Sequence, residues 1–493
     1  ADYRNVMRFE TDYPAAEKVL LEQNYRSTQT VLDAARSVIC QNTHRTDKHL
    51  FSDRGSGERI TLYEAVDDHA EAAYVVDSIR QWLGGKRAHG GDFAIMYRTN
   101  AQSRLLEEAF LRAGIPYRLV GAQRFYGRRE VKDMLAFLRL VHNPNDEVSL
   151  KRVVNVPARG IGEKTLVTLD LAARKAHLTG GQLLLSLGRE GNASPHWKEF
   201  SGRSGILLSD FGALLDGWHT AKDDLDLPGL FDKIVADTGY RDFIDDNTEE
   251  GHDRWENVQE LRRLAFEFRE KGLAEFLENV ALVSDQDTLP EQLDAPTLLT
   301  LHAAKGLEFP QVFIVGMDEG ILPHSRSRDD PEEMAEERRL FYVGLTRAKD
   351  RLYLVRADRR SNYGGYEEQI PSQFLDDLPD KLLQREGARR SGWGNDYRSF
   401  RKATAWDEYV TSKRSDSGGG AAVPPPGKSA VRPARSLERK YRPSMRVKHA
   451  AWGEGMVIDS RVDSEGEETV DVMFESVGFK RVLASLANLE VLG

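Results

Sequence analysis

Cysteine is almost missing. Cys40 is the single one in 493 residues, which excludes a disulfide framework and a cysteine-ligated zinc cluster and suggests a reducing compartment. Long hydrophobic runs are missing as well. There is no stretch of about 18 apolar residues and no signal peptide, so a cytoplasmic location is expected. An excess of positive charge is absent too. The chain carries 69 Lys+Arg against 79 Asp+Glu, a net −10, which argues against a wholly basic nucleic-acid binder but leaves room for a local basic track. No internal repeat at a solenoid period is present. The phosphate-cradling pattern G-x-x-x-x-G-K-[ST] is not found either. Its nearest approach, Ala422 to Gly427-Lys428-Ser429, has Ala for the first Gly, three prolines in the loop and no preceding strand, and is rejected.

What is present is a soluble, globular composition, 40% apolar and 30% charged. The length predicts two to four domains. The chain is organised around residues 296–357. Two apolar, β-branched runs, 297–301 and 312–316, have the length of strands buried on both faces of a parallel sheet. A polar loop from His302 to Glu308 separates them, and Gly306 lets it turn sharply. Pro331 and the acids after it open a helix, with negative charge near its positive end. Residues 351–357 return as a strand, giving the grammar of a doubly wound α/β domain. At 100° per residue, Arg347 falls inside the apolar arc of Leu340, Phe341, Val343, Gly344, Leu345 and Ala348. A guanidinium at a covered position needs an anion. Two readings stand for it: a carboxylate, or a nucleotide phosphate reached across a cleft.

The segments TLHAAKGLEFPQVFIVG and RRLFYVGLTRAKDRLYL resemble the fifth and sixth motifs of superfamily 1A DNA helicases, the UvrD/PcrA/Rep family. LEQNYRSTQTVLDAA, residues 21–35, resembles the fourth. The resemblance extends over nearly the whole chain and is to the C-terminal half of such a helicase. The first residues lack an initiator Met and start in a helical pattern (Tyr3, Val6, Met7, Phe9). It implies an ATP-dependent 3′–5′ DNA helicase of DNA repair, with ATP and Mg2+ completed by an N-terminal RecA-like domain. This chain is then expected to be ATPase-inactive alone. Arg26 and Arg347 match the arginines that contact the γ-phosphate in trans, Glu308 the glutamate that bonds the nucleotide ribose, and His302 and Lys305 the loop that couples the nucleotide cleft to single-stranded DNA. No metal ligand is assigned. Asp318-Glu319 imitates a magnesium-binding strand end, but is read as a strand end followed by a loop.

The flanking segments fill in the plan. Leu20 and Leu21 read as the end of a strand, with Arg26 at the strand-to-helix corner and Ser27 or Thr28 capping the helix that follows. Residues 93–97 read as a buried strand that leads into a helix over 105–113. Tyr97, Arg98 and Asn100 form either a stacking and phosphate-binding surface for single-stranded DNA or an ordinary solvated helix start. Residues 121–292 have a helical, polar texture, and the family places an inserted domain there. Arg159, Gly160 and Gly162 resemble a helix-hairpin-helix turn whose backbone N–H groups grip a duplex phosphate; a plain Gly-rich helix start is the other reading.

The expected plan is therefore an α/β, second RecA-like domain with a parallel sheet in two segments, 1–120 and 293–378, interrupted by 121–292. A basic linker over 379–444 and a small Tudor-like β-barrel over 445–493 follow. Between Lys381 and Lys448, 17 Lys/Arg stand against 6 Asp/Glu. The barrel resembles the tail of UvrD and PcrA, which implies docking to RNA polymerase. Single-stranded DNA, single-strand/duplex junctions, the N-terminal half and nucleotide-excision or mismatch repair proteins complete the implied partners. The competing class is a non-catalytic DNA- and RNA-polymerase-binding module or regulatory fragment. A helicase–nuclease is not supported, because no carboxylate cluster with a lysine follows the sixth motif.

Overall fold

A computed structural model describes residues 12–13, 16, 19–42, 48–200, 202–286, 294–362, 365–387, 445–449, 453–462, 468–474, 478–483 and 490–492. The expected N-terminal helix and most of the expected linker lie outside them. By contacts the chain divides into two units, Ala1–Trp393 and Gly394–Gly493.

The first unit is built on a seven-stranded sheet. Its strands are β1 (Ile60–Ala65), β2 (Phe93–Tyr97), β3 (Arg118–Val120), β4 (Thr297–Thr300), β5 (Phe309–Ile314), β6 (Ala348–Ala357) and β9 (Leu383–Gly387), in the order β3-β4-β2-β5-β6-β1-β9. Every pairing is parallel. Residues of alternate parity enter opposite cores, so continuous apolar runs are required. Phe93, Ile95, Phe313 and Tyr353 pack on one face, and Ala94, Met96, Val312 and Leu354 on the other. The first face is covered by helices α2 (Asp68–Gly84) and α3 (Ser103–Ala113), the second by α1 (Gln29–Ile39) and α13 (Pro331–Leu345). The helix expected at Pro331 forms there, and Asp330 caps it by accepting from the N–H groups of Glu332 and Glu333.

Three local expectations fail. No strand forms at Leu20–Leu21; both side chains are exposed, and the segment makes only an isolated bridge from Gln23 to Phe51. Neither Ser27 nor Thr28 caps α1 with its side chain. The Gln29 and Thr30 N–H groups donate instead to the carbonyls of Gly55 and Ser56 (2.9 Å each), while the Ser27 hydroxyl donates to the Ala348 carbonyl (2.7 Å). The linker does not begin at 379, because β9 occupies the sheet edge. Leu382 and Leu383 anchor it, and the exposed residues after them hid it from the hydropathy pattern.

Between β3 and β4 the chain is helical and has its own core. Its helices are α4 (Arg129–His142), α5 (Glu147–Val153), α6 (Glu163–Lys175), α7 (Gly180–Glu190), α8 (Arg203–Ala221), α9 (Leu227–Thr238), α10 (Tyr240–Ile244), α11 (Glu249–Glu267) and α12 (Gly272–Gln286). Helix α4 runs through the middle, its Phe137 ring edge-on to Trp218 (5.7 Å) and to Tyr240 (6.2 Å). Helices α7 and α8 meet backbone to backbone at Gly188 and Gly212; a Cβ at Gly188 would lie 2.2 Å from the Gly212 carbonyl carbon. Exit and return are adjacent, since Arg118 pairs with Thr297 in neighbouring strands. Helix α11 is the seam between the helical segment and the sheet. Its Glu260 accepts from Arg104 (2.7 Å), its Asn257 from Arg128 (2.6 Å), and its Glu256 meets His324 (3.0 Å).

In the second unit, β10 (Arg446–His449), β11 (Gly453–Val462), β12 (Glu468–Phe474), β13 (Gly478–Leu483) and β14 (Glu490–Leu492) form one antiparallel sheet in the order β13-β12-β11-β10-β14. Val447, Val457, Val470 and Val472 are buried in it. A two-stranded hairpin, β7 (Arg359–Asn362) with β8 (Gly365–Glu368), belongs to the first unit.

Candidate functional site

The residues assigned to the nucleotide converge. Glu308 lies just before β5, Arg347 just before β6, and Arg26 in the loop that enters α1. The Ser27 hydroxyl and the Thr28 N–H bind this loop to the first carbonyls of β6 (2.7 and 3.1 Å). The Arg26 Nε donates to Glu308 Oε2 (2.5 Å), and its Nη1 donates to the Thr346 carbonyl (3.2 Å). Lys349 Nζ reaches the other Glu308 oxygen (2.8 Å). These two cations, Lys349 first and Arg26 next, pull the Glu308 pKa down to about 2. Arg54 braces the loop from outside, donating to the Arg26 carbonyl and pairing with Asp350 (2.8 Å).

Arg347 stands in a different position from the one expected. Helix α13 ends at Leu345, so Arg347 stands beyond the helical arc and is half-buried rather than covered. Its guanidinium donates only to neutral acceptors: the carbonyls of Val343 (3.1 Å) and Leu307 (3.2 Å) and the Thr346 hydroxyl (3.2 Å). Among the described residues it forms no ion pair. Burial first, then the Arg26 charge beside it, lowers its pKa, although an arginine keeps its charge at neutral pH. The nearby Glu308 charge acts on it the opposite way, without a hydrogen bond or ion pair between them among the described residues.

The cluster sits at the N-terminal ends of β5 and β6, opposite the strand ends where α/β sheets commonly present ligands. That corrects the expected corner for Arg26, and the reason is the strand that does not form at Leu20–Leu21. Of the residues assigned to DNA, Arg98, Asn100, His302 and Lys305 lie at the other end of the sheet, after β2 and β4, which are neighbours. Residues 301–308 join the two ends directly. Gly306 has φ +89° in this connection, and Arg347 grips its last part through the Leu307 carbonyl.

Several DNA-contact expectations do not survive burial and pairing. Tyr97 is fully buried in the sheet core, so its ring cannot stack on a base. Arg98 is held by Glu337 of α13, with Nη2–Oε1 at 2.8 Å. The Asn100 amide donates to Asp253 of α11 (3.2 Å), so that side chain serves the seam. Arg159 folds back onto its own turn, donating to the carbonyls of Val156 (2.7 Å) and Pro157 (3.2 Å), with its guanidinium over Phe211 (5.2 Å). It shapes the turn and leaves the surface to Gly160 and Gly162, which are exposed. Gly160 has φ +80°, and Gly162 precedes α6 with no side-chain cap. His302 and Lys305 are exposed, and partial burial together with the Arg98 charge lowers the His302 pKa.

The sequence reading missed Lys349, Arg54 and Tyr25. Lys349 carried a signal, a cation two residues beyond Arg347 and just before the strand expected at 351–357. Arg54 carried none, because its contacts are remote in sequence. Tyr25 is 78% exposed beside Arg26, an aromatic face open to stacking. Asp318 is fully buried and paired with Arg356 (3.2 Å) and Arg360 (2.7 Å).

A parallel α/β domain thus carries a cluster of Arg26, Glu308, Arg347 and Lys349 at one end of its sheet. A family model described as the UvrD-like helicase C-terminal domain matches residues 19–184 and 220–359, and the chain belongs to that family. A second, described as the PcrA/UvrD tudor domain, matches residues 444–490. Among curated relatives, the ATP-dependent DNA helicase PcrA of Staphylococcus aureus (strain NCTC 8325 / PS 47) is 36% identical over 503 residues. That of Bacillus subtilis (strain 168) is 36% identical over 502, and that of Staphylococcus epidermidis (strain ATCC 12228 / FDA PCI 1200) 36% over 506. Each alignment covers 99% of this chain and 64% of the relative, so the chain spans about two thirds of their length.

Proposed function

We propose that this chain supplies the trans half of the ATP site, and part of the DNA track, of a 3′–5′ DNA helicase that acts in DNA repair in the cytoplasm. The observation that carries the reading is Arg347, a fixed charge with only neutral partners, next to Arg26. Arg26 and Arg347 would hold the γ-phosphate of ATP, and Glu308 the ribose. Bound with Mg2+, ATP supplies the phosphoryl group and its charge; the P-loop and the metal ligands belong to an N-terminal RecA-like domain. Before that, Glu308 serves as counter-ion for Arg26, and an arriving phosphate replaces it. The exposed Tyr25 ring beside Arg26 is available to stack on a base. Without that other half, the chain is inactive as an ATPase.

Residues 301–308 give the reading its motor aspect. They run from His302 and Lys305, exposed toward single-stranded DNA, to Leu307 and Glu308 at the arginine cluster. Parallel strands are usually joined by a dozen or more residues, and this shorter join transmits displacement between the two ends. The helical segment 121–292, through Gly160 and Gly162, orients the duplex at a single-strand junction by contacts to phosphate that read no sequence. The parts proposed are a split RecA-like domain, this insertion, a basic linker now starting after β9, and the Tudor-like strands. The strands support docking to a protein partner, for which RNA polymerase and excision or mismatch repair proteins are proposed.

Arg347→Ala in the complete protein is the direct test. ATP turnover is expected to fall by about 10³-fold or more, while the protein stays folded, its melting temperature lowered only by the loss of three hydrogen bonds. Near-normal turnover would refute the phosphate role.

A further inference from the structure

A cavity of about 570 Å3 between α2 and the β1/β6/β9 side of the sheet belongs to neither site described above. Its size suits a ligand or an inserted side chain. Tyr63, Tyr74, Trp82 and Tyr353 line it, with Asp77 and Glu386. The aromatic walls are held by their own stacking. Tyr63 lies on Tyr74 with centroids 3.5 Å apart and planes 6° from parallel, and Phe313 backs Tyr353 at 4.2 Å. Aromatic faces attract cations, and this surface already holds one: the Arg351 guanidinium is 5.1 Å from the Trp82 ring centroid.

The neighbouring charges leave one anion without a cation. Asp77 pairs with Arg80 (3.3 Å), Arg351 with Glu58 (3.2 Å) and Arg385 with Asp380 (3.2 Å). Glu386 accepts from the Gln384 amide (2.8 Å) and the Tyr74 hydroxyl (3.4 Å), and among the described residues it forms no ion pair. Glu386 also stands on β9, the edge strand, which pairs with β1 alone among the described residues and is exposed over 384–387. An open parallel edge is a template for an added strand. The aromatic–carboxylate cavity and the open edge lie side by side, which favours a polypeptide over a free small cation.

We propose that this cavity receives an arginine side chain of a partner polypeptide that adds in extended form along β9. The guanidinium lies against the Tyr74 and Trp82 rings and pairs with Glu386. Arginine fits better than lysine because its planar head stacks and bonds a carboxylate at the same time. The partner's side chains two residues away point to the same face and carry the rest of the selectivity.

The test is fluorescence anisotropy with the whole chain and a fluorescein-labelled Thr-Val-Arg-Val-Thr peptide, against the same peptide with neutral citrulline for arginine. The arginine peptide is expected to bind about tenfold more tightly. Glu386→Gln, at an exposed position that leaves the fold intact, is expected to erase most of that preference, and Trp82→Leu to weaken binding of the arginine peptide alone. N-acetylarginine amide is expected to compete only weakly. Four results would overturn the proposal: no binding, equal binding of the two peptides, a preference that survives Glu386→Gln, or N-acetylarginine amide binding as tightly as the peptide.

Discussion

Glu308 shows how a single exposed carboxylate reports on the whole candidate site. Lys349 and Arg26 hold its pKa at about 2, against an ordinary value of 4.5. The shift is downward, so the contribution of this cluster to stability is present above about pH 4.5 and is lost as the pH falls toward 2. A carboxyl-carbon NMR titration is expected to find Glu308 ionised at pH 3. Lys349→Ala is expected to move its midpoint up toward 4.5, and an unchanged midpoint in that variant would remove Lys349 from the site. Arg26, Glu308 and Arg347 were legible in the sequence because each stands in a local motif. The geometry that joins them was not, since Arg26 meets Glu308 across 282 positions. Tyr97 was misread for another reason: it was placed in a buried strand and still offered to DNA, but both faces of β2 are covered, so its ring lies in the core.

At the scale of elements, the sheet is held at the C-terminal ends of β5 and β6 by a buried ionic knot. Asp318, fully buried, takes Arg356 and Arg360, and Arg360 also pairs with Glu71 (2.7 Å). Removing one partner strands the others, so Asp318→Ala is expected to cost about 3–5 kcal/mol in urea unfolding. A loss under 1 kcal/mol would show that the knot relaxes. Burial raises the Glu71 pKa to about 7 even with Arg360 beside it. An acid raised in this way favours the folded state below about pH 4.5, and that contribution is lost as the pH rises through 7. Glu71→Gln is therefore expected to flatten the stability profile between those values. In the helical segment, Gly212→Ala would force α7 and α8 apart, since its Cβ would meet the Leu184 carbonyl oxygen at 2.1 Å. The expected cost is about 1–3 kcal/mol, read as a lower thermal midpoint. The strands and helices were readable from periodicity wherever burial was two-sided or amphipathic. Strand β9 was not, because only Leu383 of its five residues is buried.

For the whole molecule, the seventh strand decides where a folded first unit can end. A chain cut after Gly387 is expected to keep the sheet, whereas one cut after Leu378 exposes the outer edge of β1 and is expected to melt at a lower temperature. Equal melting temperatures would deny β9 a structural role. In the proposed function, residues 301–308 run from His302 and Lys305 at one end of the sheet to the arginine cluster at the other, and the chain forms half of an ATP-driven motor. The measurement that tests it most directly is DNA-stimulated ATP hydrolysis by this chain, alone and mixed with a separately made N-terminal RecA-like domain of the same helicase. No turnover alone, turnover on mixing, and its loss with Arg347→Ala are the expected results. Turnover by the chain alone, or a reconstituted activity indifferent to Arg347→Ala, would contradict the account.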